Sequence, residues 1–169
     1  MKKKDIKGAE DRLIKAYEHM LAHVSQATNK KQLDEAIQHA KSTLLDVGQL
    51  THEEVENIAQ CFNRDIIDAT LFLHETEEDL INWVKFDWQL IEARLWDNFS
   101  AVADKTLLEQ QALQFRLMRG PVYKSSEIIG LGSLQCDQCG EILHFKKVSQ
   151  IPPCPGCEAT QFSRVSDKP

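Results

Sequence analysis

Four cysteines near the end of the chain constrain its fold more than any other feature. They are arranged as Cys136-x2-Cys139, fourteen intervening residues, and Cys154-x2-Cys157. Two residues between cysteines let both sulfurs of a tight turn face one ion. Two such turns joined by a β-hairpin complete a tetrahedron with metal–sulfur distances near ~2.3 Å. Gly140 follows the first pair, where the turn benefits from a residue tolerant of positive φ. Pro155-Gly156 shapes the second turn. Ile142, Leu143, Phe145 and Val148 can build the hairpin between them. The pattern predicts one structural Zn2+ per chain, held by Cys136, Cys139, Cys154 and Cys157. With every position filled by sulfur, the ion has no place for water and no catalytic role. Iron is the rival metal, because four thiolates suit either ion. The short hairpin and the lack of an aromatic cluster beside the cysteines favour zinc. Lys146 and Lys147 can offset part of the formal charge of a zinc tetrathiolate. A region of some 45 residues with few large apolar groups is expected to need the metal to fold.

The rest of the chain has a different grammar. Residues from about 9 to 118 read as helix almost throughout. Leu13, Tyr17, Met20, Val24 and Ala27 are spaced 4-3-4-3, and Leu33, Ile37, Ala40, Leu44 and Val47 repeat the spacing. Such stripes belong to antiparallel helix pairs and coiled coils. Asn29 separates the stripes, and Gly48 is placed to end the second helix. Thr51-His52-Glu53-Glu54 has the form of a capping box, opening a helix with Val55, Ile58, Ala59, Phe62, Ile66, Ala69 and Leu73 on one face. From Leu80 to Phe99 the apolar residues exceed one stripe, so this helix is expected to lie centrally. The spacing predicts a hairpin with arms at about 51–75 and 77–101, the alternative being one helix from about 51 to 101. Leu80, Val84, Trp88, Ile91 and Leu95 face the first arm, and Trp83, Phe86 and Trp96 are left for other neighbours to cover. Leu107, Leu108, Ala112, Phe115 and Met118 suggest one more helix. Gly120-Pro121 marks the change to β-formers and turn residues. The expected architecture is mainly α: an antiparallel helical bundle or coiled-coil hairpin over 1–120, then a small β zinc ribbon over 121–169.

Other residues carry weaker chemistry. His144 lies between the cysteine pairs, but four sulfurs already suffice. Cys61 falls beside the apolar stripe and reads as a packing thiol. His19 and His23 are four apart on a helix and could share a metal. No carboxylate is evidently organised around them, so a solvated face is the better expectation. No Glu-x-x-His motif occurs in the helical region, and no Walker loop, GxSxG or His-Glu-x-x-His occurs at all, so the protein is expected not to be an enzyme. The segment from Glu75 to Asp79, with Glu77 and Glu78, is acidic. It fits the first turn of a helix capped by Thr76, although on a hairpin tip it would offer a binding surface.

With these residues in view, the chain resembles a bacterial family described as zinc-ribbon-containing proteins, a domain-of-unknown-function family. The resemblance is sharpest at Ser126-Glu127-Ile128-Ile129-Gly130-Leu131-Gly132-Ser133-Leu134-Gln135-Cys136 with Cys139. It continues at Cys154-Pro155-Gly156-Cys157, at Phe162 with Arg164, and at Gly48-Gln49-Leu50-Thr51-His52-Glu53-Glu54-Val55. It implies helices first and a ribbon last, and it implies no reaction.

Charge bounds the partners. The formal net charge is -6, and residues 121–169 hold five Lys or Arg against five Asp or Glu. Nucleic-acid binding is therefore weakly supported. No stretch approaches the ~20 apolar residues of a membrane span. The basic start, Lys2-Lys3-Lys4, has no apolar run behind it, and the expected location is cytoplasmic. The leading expectation is a non-enzymatic interaction or adaptor protein with a protein partner or a second copy of itself. The alternatives are a transcription-associated regulator contacting RNA polymerase or nucleic acid, by analogy of architecture alone, and a rubredoxin-like iron carrier.

Overall fold

In a computed structural model, residues 3–27, 30–76, 82, 84, 89, 91–103 and 122–165 are described. Among the described residues, four helices precede six short strands: α1 (Lys3–Val24), α2 (Lys30–Asp46), α3 (His52–Thr76) and α4 (Ala93–Ala103), then β1 (Tyr123–Lys124), β2 (Ile128–Ile129), β3 (Gly132–Cys136), β4 (Ile142–Phe145), β5 (Ser149–Gln150) and β6 (Gln161–Arg164). The chain is helical and then β, as its sequence pattern predicts.

The local signals act where the sequence places them. The Thr51 amide donates to Glu54 Oε2 at 2.7 Å and the Glu54 amide donates to Thr51 Oγ1 at 3.2 Å. Two of the amides left without partners at the start of α3 are thereby satisfied. Gly48 has φ +67° and its amide donates to Leu45 O at 2.9 Å, closing α2. Val47 lies beyond the end of α2 and is 60% exposed, so the second apolar stripe stops at Leu44. Ala27 is buried although it follows the end of α1.

Helix α1 packs on α2, α3 and α4. Tyr17, Met20, Leu21 and Val24 from α1 meet Leu33 and Ala40 of α2, Ile58, Phe62 and Ile66 of α3, and Phe99 and Val102 of α4 in one core. Lys41 of α2 also pairs with Glu56 of α3. One long helix over 77–101 does not occur. Ile91 and Glu92 lie outside any helix, and α4 starts afresh with the Trp96 amide bonded to Glu92 O at 3.0 Å. This break also excludes one helix from 51 to 101. Val84, Ile91 and Phe99, on either side of this break, are all buried in the helical core. Asn29, the side chains of Leu73 and Glu75, residues 77–81, Trp83, Phe86, Trp88 and residues 104–121 lie outside the described residues. The backbone of Glu75 and Thr76 forms the end of α3, while the rest of the acidic segment and the last expected helix have no structural description.

The β region forms a four-stranded antiparallel sheet in the order β1-β6-β3-β4 and a two-stranded ribbon β2-β5. Successive side chains of a strand point to opposite faces, and β2 uses both. Ile128 joins the helical core with Leu131 and Val148. Ile129 joins a second core of Tyr123, Leu134, Phe145, Ile151 and Phe162 with Cys136 and Cys154. The β region is thus better supplied with buried apolar groups than its sequence suggests, because Ile128, Leu131 and Val148 are buried in the core built by the helices.

Candidate metal centre

The two cysteine turns are built alike. In the first, Cys136 ends β3, its amide donates to Glu141 O at 2.8 Å, and the Gly140 amide donates to Cys136 O at 3.0 Å. In the second, the Cys154 amide donates to Ala159 O at 2.9 Å and the Glu158 amide donates to Cys154 O at 2.8 Å. The fifth residue of each turn is left-handed: Gly140 at φ +78° and Glu158 at φ +62°. Gly140 occupies this conformation without steric cost, whereas Glu158 does so with a Cβ. Strand β6 pairs with β3 so that Cys136 faces Phe162.

This geometry brings all four sulfurs within 4.8 Å of one another. Cys136 Sγ lies 3.6 Å from Cys157 Sγ, and Cys139 Sγ lies 3.5 Å from Cys154 Sγ. A disulfide would need about 2.05 Å. A tetrahedron with metal–sulfur bonds of about 2.3 Å has edges of about 3.8 Å, close to the spacing found. The site is half sunk: Cys136 and Cys154 are buried, Cys157 is half-buried and Cys139 is exposed.

The thiols are tuned unequally. Amides of Cys139 and Gln138 donate to Cys136 and hold its pKa at about 7. The Glu141 amide acts in the same sense on Cys139, but the sulfurs of Cys157 and Cys154 outweigh it and push that thiol up to about 12. The Cys136 thiolate therefore forms more readily than that of Cys139, whose neighbouring sulfurs oppose its ionisation. A thiophilic cation lets all four ionise together, with release of their protons. The donor set therefore fits zinc, which would be held by Cys136, Cys139, Cys154 and Cys157. His144 is exposed, and its Nδ1 lies 2.7 Å from Ser133 Oγ. It is no part of the sulfur cluster. Cys61 is buried in α3, and burial pushes its thiol up to about 11, as befits a packing residue.

A second feature, absent from the sequence reading, ties the metal centre to the helices. Arg164, two residues after Phe162, donates from Nε to Asp68 Oδ2 at 2.6 Å, from an Nη to Leu131 O at 3.1 Å and from the other Nη to Tyr123 Oη at 2.8 Å. Arg64 bonds Asp65, Glu127 and Ile128 O. Asp65 is fully buried and also accepts from Tyr17 Oη at 2.8 Å and from the Gly130 amide at 2.7 Å. Both guanidiniums lie over the Tyr123 ring, 4.0 and 4.7 Å from its centre. Burial opposes the charge on each arginine, and the surrounding acidic groups more than restore it, Asp65 foremost at Arg64 and Tyr123 with Asp68 at Arg164. Gly130 leaves room for this network, since a Cβ there would fall 2.5 Å from Tyr17 Oη. Ser133 completes the junction by donating to Val84 O at 2.6 Å. One trace in the sequence points here: Asp65 falls three residues after Phe62, on the apolar face of α3, where a carboxylate needs partners.

A helical body joined through buried ion pairs to a four-cysteine β module is the architecture of a zinc-ribbon protein. The chain belongs to the family described as zinc-ribbon containing domain, whose model matches residues 21–166. It is 26% identical over 161 residues to the uncharacterized protein YbeL of Escherichia coli K12, covering 94% of this chain and 99% of that one. YbeL of strains O6:H1 and O157:H7 matches to the same extent. No solved structure matches. Among the described residues, no helix is long and apolar enough to cross a membrane.

Proposed function

We propose that the protein is a non-enzymatic adaptor of the cytoplasm, in which one structural zinc ion per chain stiffens a ribbon that docks a protein partner. The observation that carries this reading is the four-sulfur cluster, whose donors saturate a tetrahedral ion and leave no position for substrate or water. Two further features support it. The ribbon is fixed on α3 through Arg164, Asp68 and Tyr123, so whatever it binds is held in a defined orientation to the helices. Strand β4 lies at the edge of the four-stranded sheet, with Ile142 44% exposed, which suits an added strand or an apolar contact. Free thiols agree with a reducing compartment.

The test is affinity capture from the native host with the parent chain and with Ile142→Glu. The variant should keep its zinc and its circular dichroism while losing a partner that the parent retains. The reading fails if both capture the same proteins, or if the pure protein turns over a substrate through a side chain outside the ribbon.

A further inference from the structure

The four clustered sulfurs differ in what surrounds them. Cys136 and Cys154 are only 2% and 1% exposed, and Cys157 is half-buried. Cys139 alone of the four is exposed. Oxidation of a cysteine follows access to its sulfur, so a small solute meets the cluster first at Cys139.

The sulfurs also pair across the site. Cys139 Sγ lies 3.5 Å from Cys154 Sγ, and Cys136 Sγ lies 3.6 Å from Cys157 Sγ. Each pair takes one cysteine from each turn. Closing a pair to the ~2.05 Å of a disulfide asks for about 1.5 Å of approach, shared between two side chains. Nothing at Gly156 obstructs the first pair. Even a Cβ added there would meet Cys139 Sγ at 3.5 Å and Cys154 Sγ at 3.9 Å, which is ordinary contact.

The crossing matters for the fold. A disulfide inside either Cys-x2-Cys turn would leave the two turns unconnected. A crosswise pair joins them, as four ligands on one ion do. The β region is held by other means as well. Tyr123, Leu134, Phe145, Ile151 and Phe162 share a core, and Arg164 is bonded to Asp68 and Tyr123.

We propose that the four cysteines form a redox switch, in which hydrogen peroxide entering at Cys139 exchanges the metal for two crosswise disulfides. This switch presupposes the zinc assigned above. The Cys139 thiolate attacks one peroxide oxygen, the O–O bond breaks, and a sulfenic acid and hydroxide result. The Cys154 thiolate then attacks the Cys139 sulfur, forms the S–S bond and expels a second hydroxide. Two electrons pass from the sulfurs to the peroxide, and two protons from solvent turn the hydroxides into water. An ion left with two sulfurs is no longer saturated, and a second peroxide oxidises Cys136 and Cys157 in the same way. The oxidised ribbon keeps its cross-links and its attachment to α3.

The test uses the zinc-loaded full-length protein, with its metal content measured before hydrogen peroxide is added. Released zinc is followed with an indicator. Disulfides are mapped by mass spectrometry of digests made after alkylation of the remaining thiols. The expected result is one zinc released per two peroxides consumed, with Cys139 linked to Cys154 and Cys136 to Cys157. Far-ultraviolet circular dichroism should not change. Dithiothreitol with added Zn2+ should restore the original zinc content. Cys61 is buried in α3, so it should stay reduced, and Cys61→Ser should alter neither rate nor stoichiometry. At substoichiometric peroxide, dimedone should label Cys139 about 10-fold more than the other three. The switch is overturned if zinc stays bound in excess peroxide, if the disulfides lie within the two turns, or if dimedone labels a buried cysteine first. A protein without zinc before oxidation would overturn the metal assignment itself, and the switch with it.

Discussion

Replacing Gly130 by alanine tests the junction between ribbon and helices. A new Cβ would lie 2.5 Å from Tyr17 Oη, 3.1 Å from Tyr17 Cζ and 3.3 Å from Phe99 Cε2. The first contact cannot stand, so the tyrosine must move. Overpacking of this kind costs about 1–3 kcal/mol. Moving the hydroxyl also removes a donor from the buried Asp65 carboxylate, for about 1.5–3 kcal/mol more. Gly130→Ala should thus lose about 3–5 kcal/mol. Tyr17→Phe removes only the hydrogen bond and should lose about 1.5–3 kcal/mol. In the double variant the closest clash is absent and the hydrogen bond is already gone. Its loss should fall short of the sum by about 2 kcal/mol, well outside the additivity of independent sites. Urea unfolding of the four proteins, followed by far- and near-ultraviolet circular dichroism, measures each term. Strict additivity would refute the argument. So would a neutral or stabilised Gly130→Ala, the outcome for a glycine that merely lowers chain stiffness.

Two further outcomes follow from the same network. Both tyrosines of the chain, Tyr17 and Tyr123, have pKa values raised well above the ordinary 10.0, with burial as the main cause. Raised folded values mean that the native state keeps protons the unfolded state gives up, so this stability is complete below pH 10.0 and is lost as pH rises beyond it. Tyrosine ionisation at 295 nm should therefore coincide with loss of helical signal, and ionisation near pH 10 in a folded chain would contradict the burial. Arg164→Met leaves Asp68, only 14% exposed, beside Tyr123 without its cation and should cost about 3–5 kcal/mol. Arg164→Met with Asp68→Leu should recover most of that loss in the same urea assay, and equal losses in both would argue against the ion pair.

What was legible in the sequence was local. The capping box at Thr51–Glu54, the glycine at 48 and the left-handed Gly140 each depend on a few adjacent residues, and the structure has them in place. The cysteines were legible because their spacing is itself the turn geometry, and the fold gathers all four. The junction was not legible, because its partners lie far apart in the chain: Tyr17 with Asp65, Arg64 with Glu127, and Asp68 with Arg164. No periodicity records such a pairing. The break at Ile91–Glu92 was missed for a related reason. Continuous apolar residues suit one buried helix or two segments packed in turn, and tertiary contacts choose between them.

The central claim is a closed sulfur site that holds zinc. The direct measurement is metal analysis of the purified full-length protein, dialysed against a weak chelator to clear loosely bound ions, together with X-ray absorption at the zinc edge. The account predicts one zinc per chain surrounded by four sulfurs at about 2.3 Å. Stoichiometric iron, no metal, or a shell with nitrogen in place of a sulfur would contradict it.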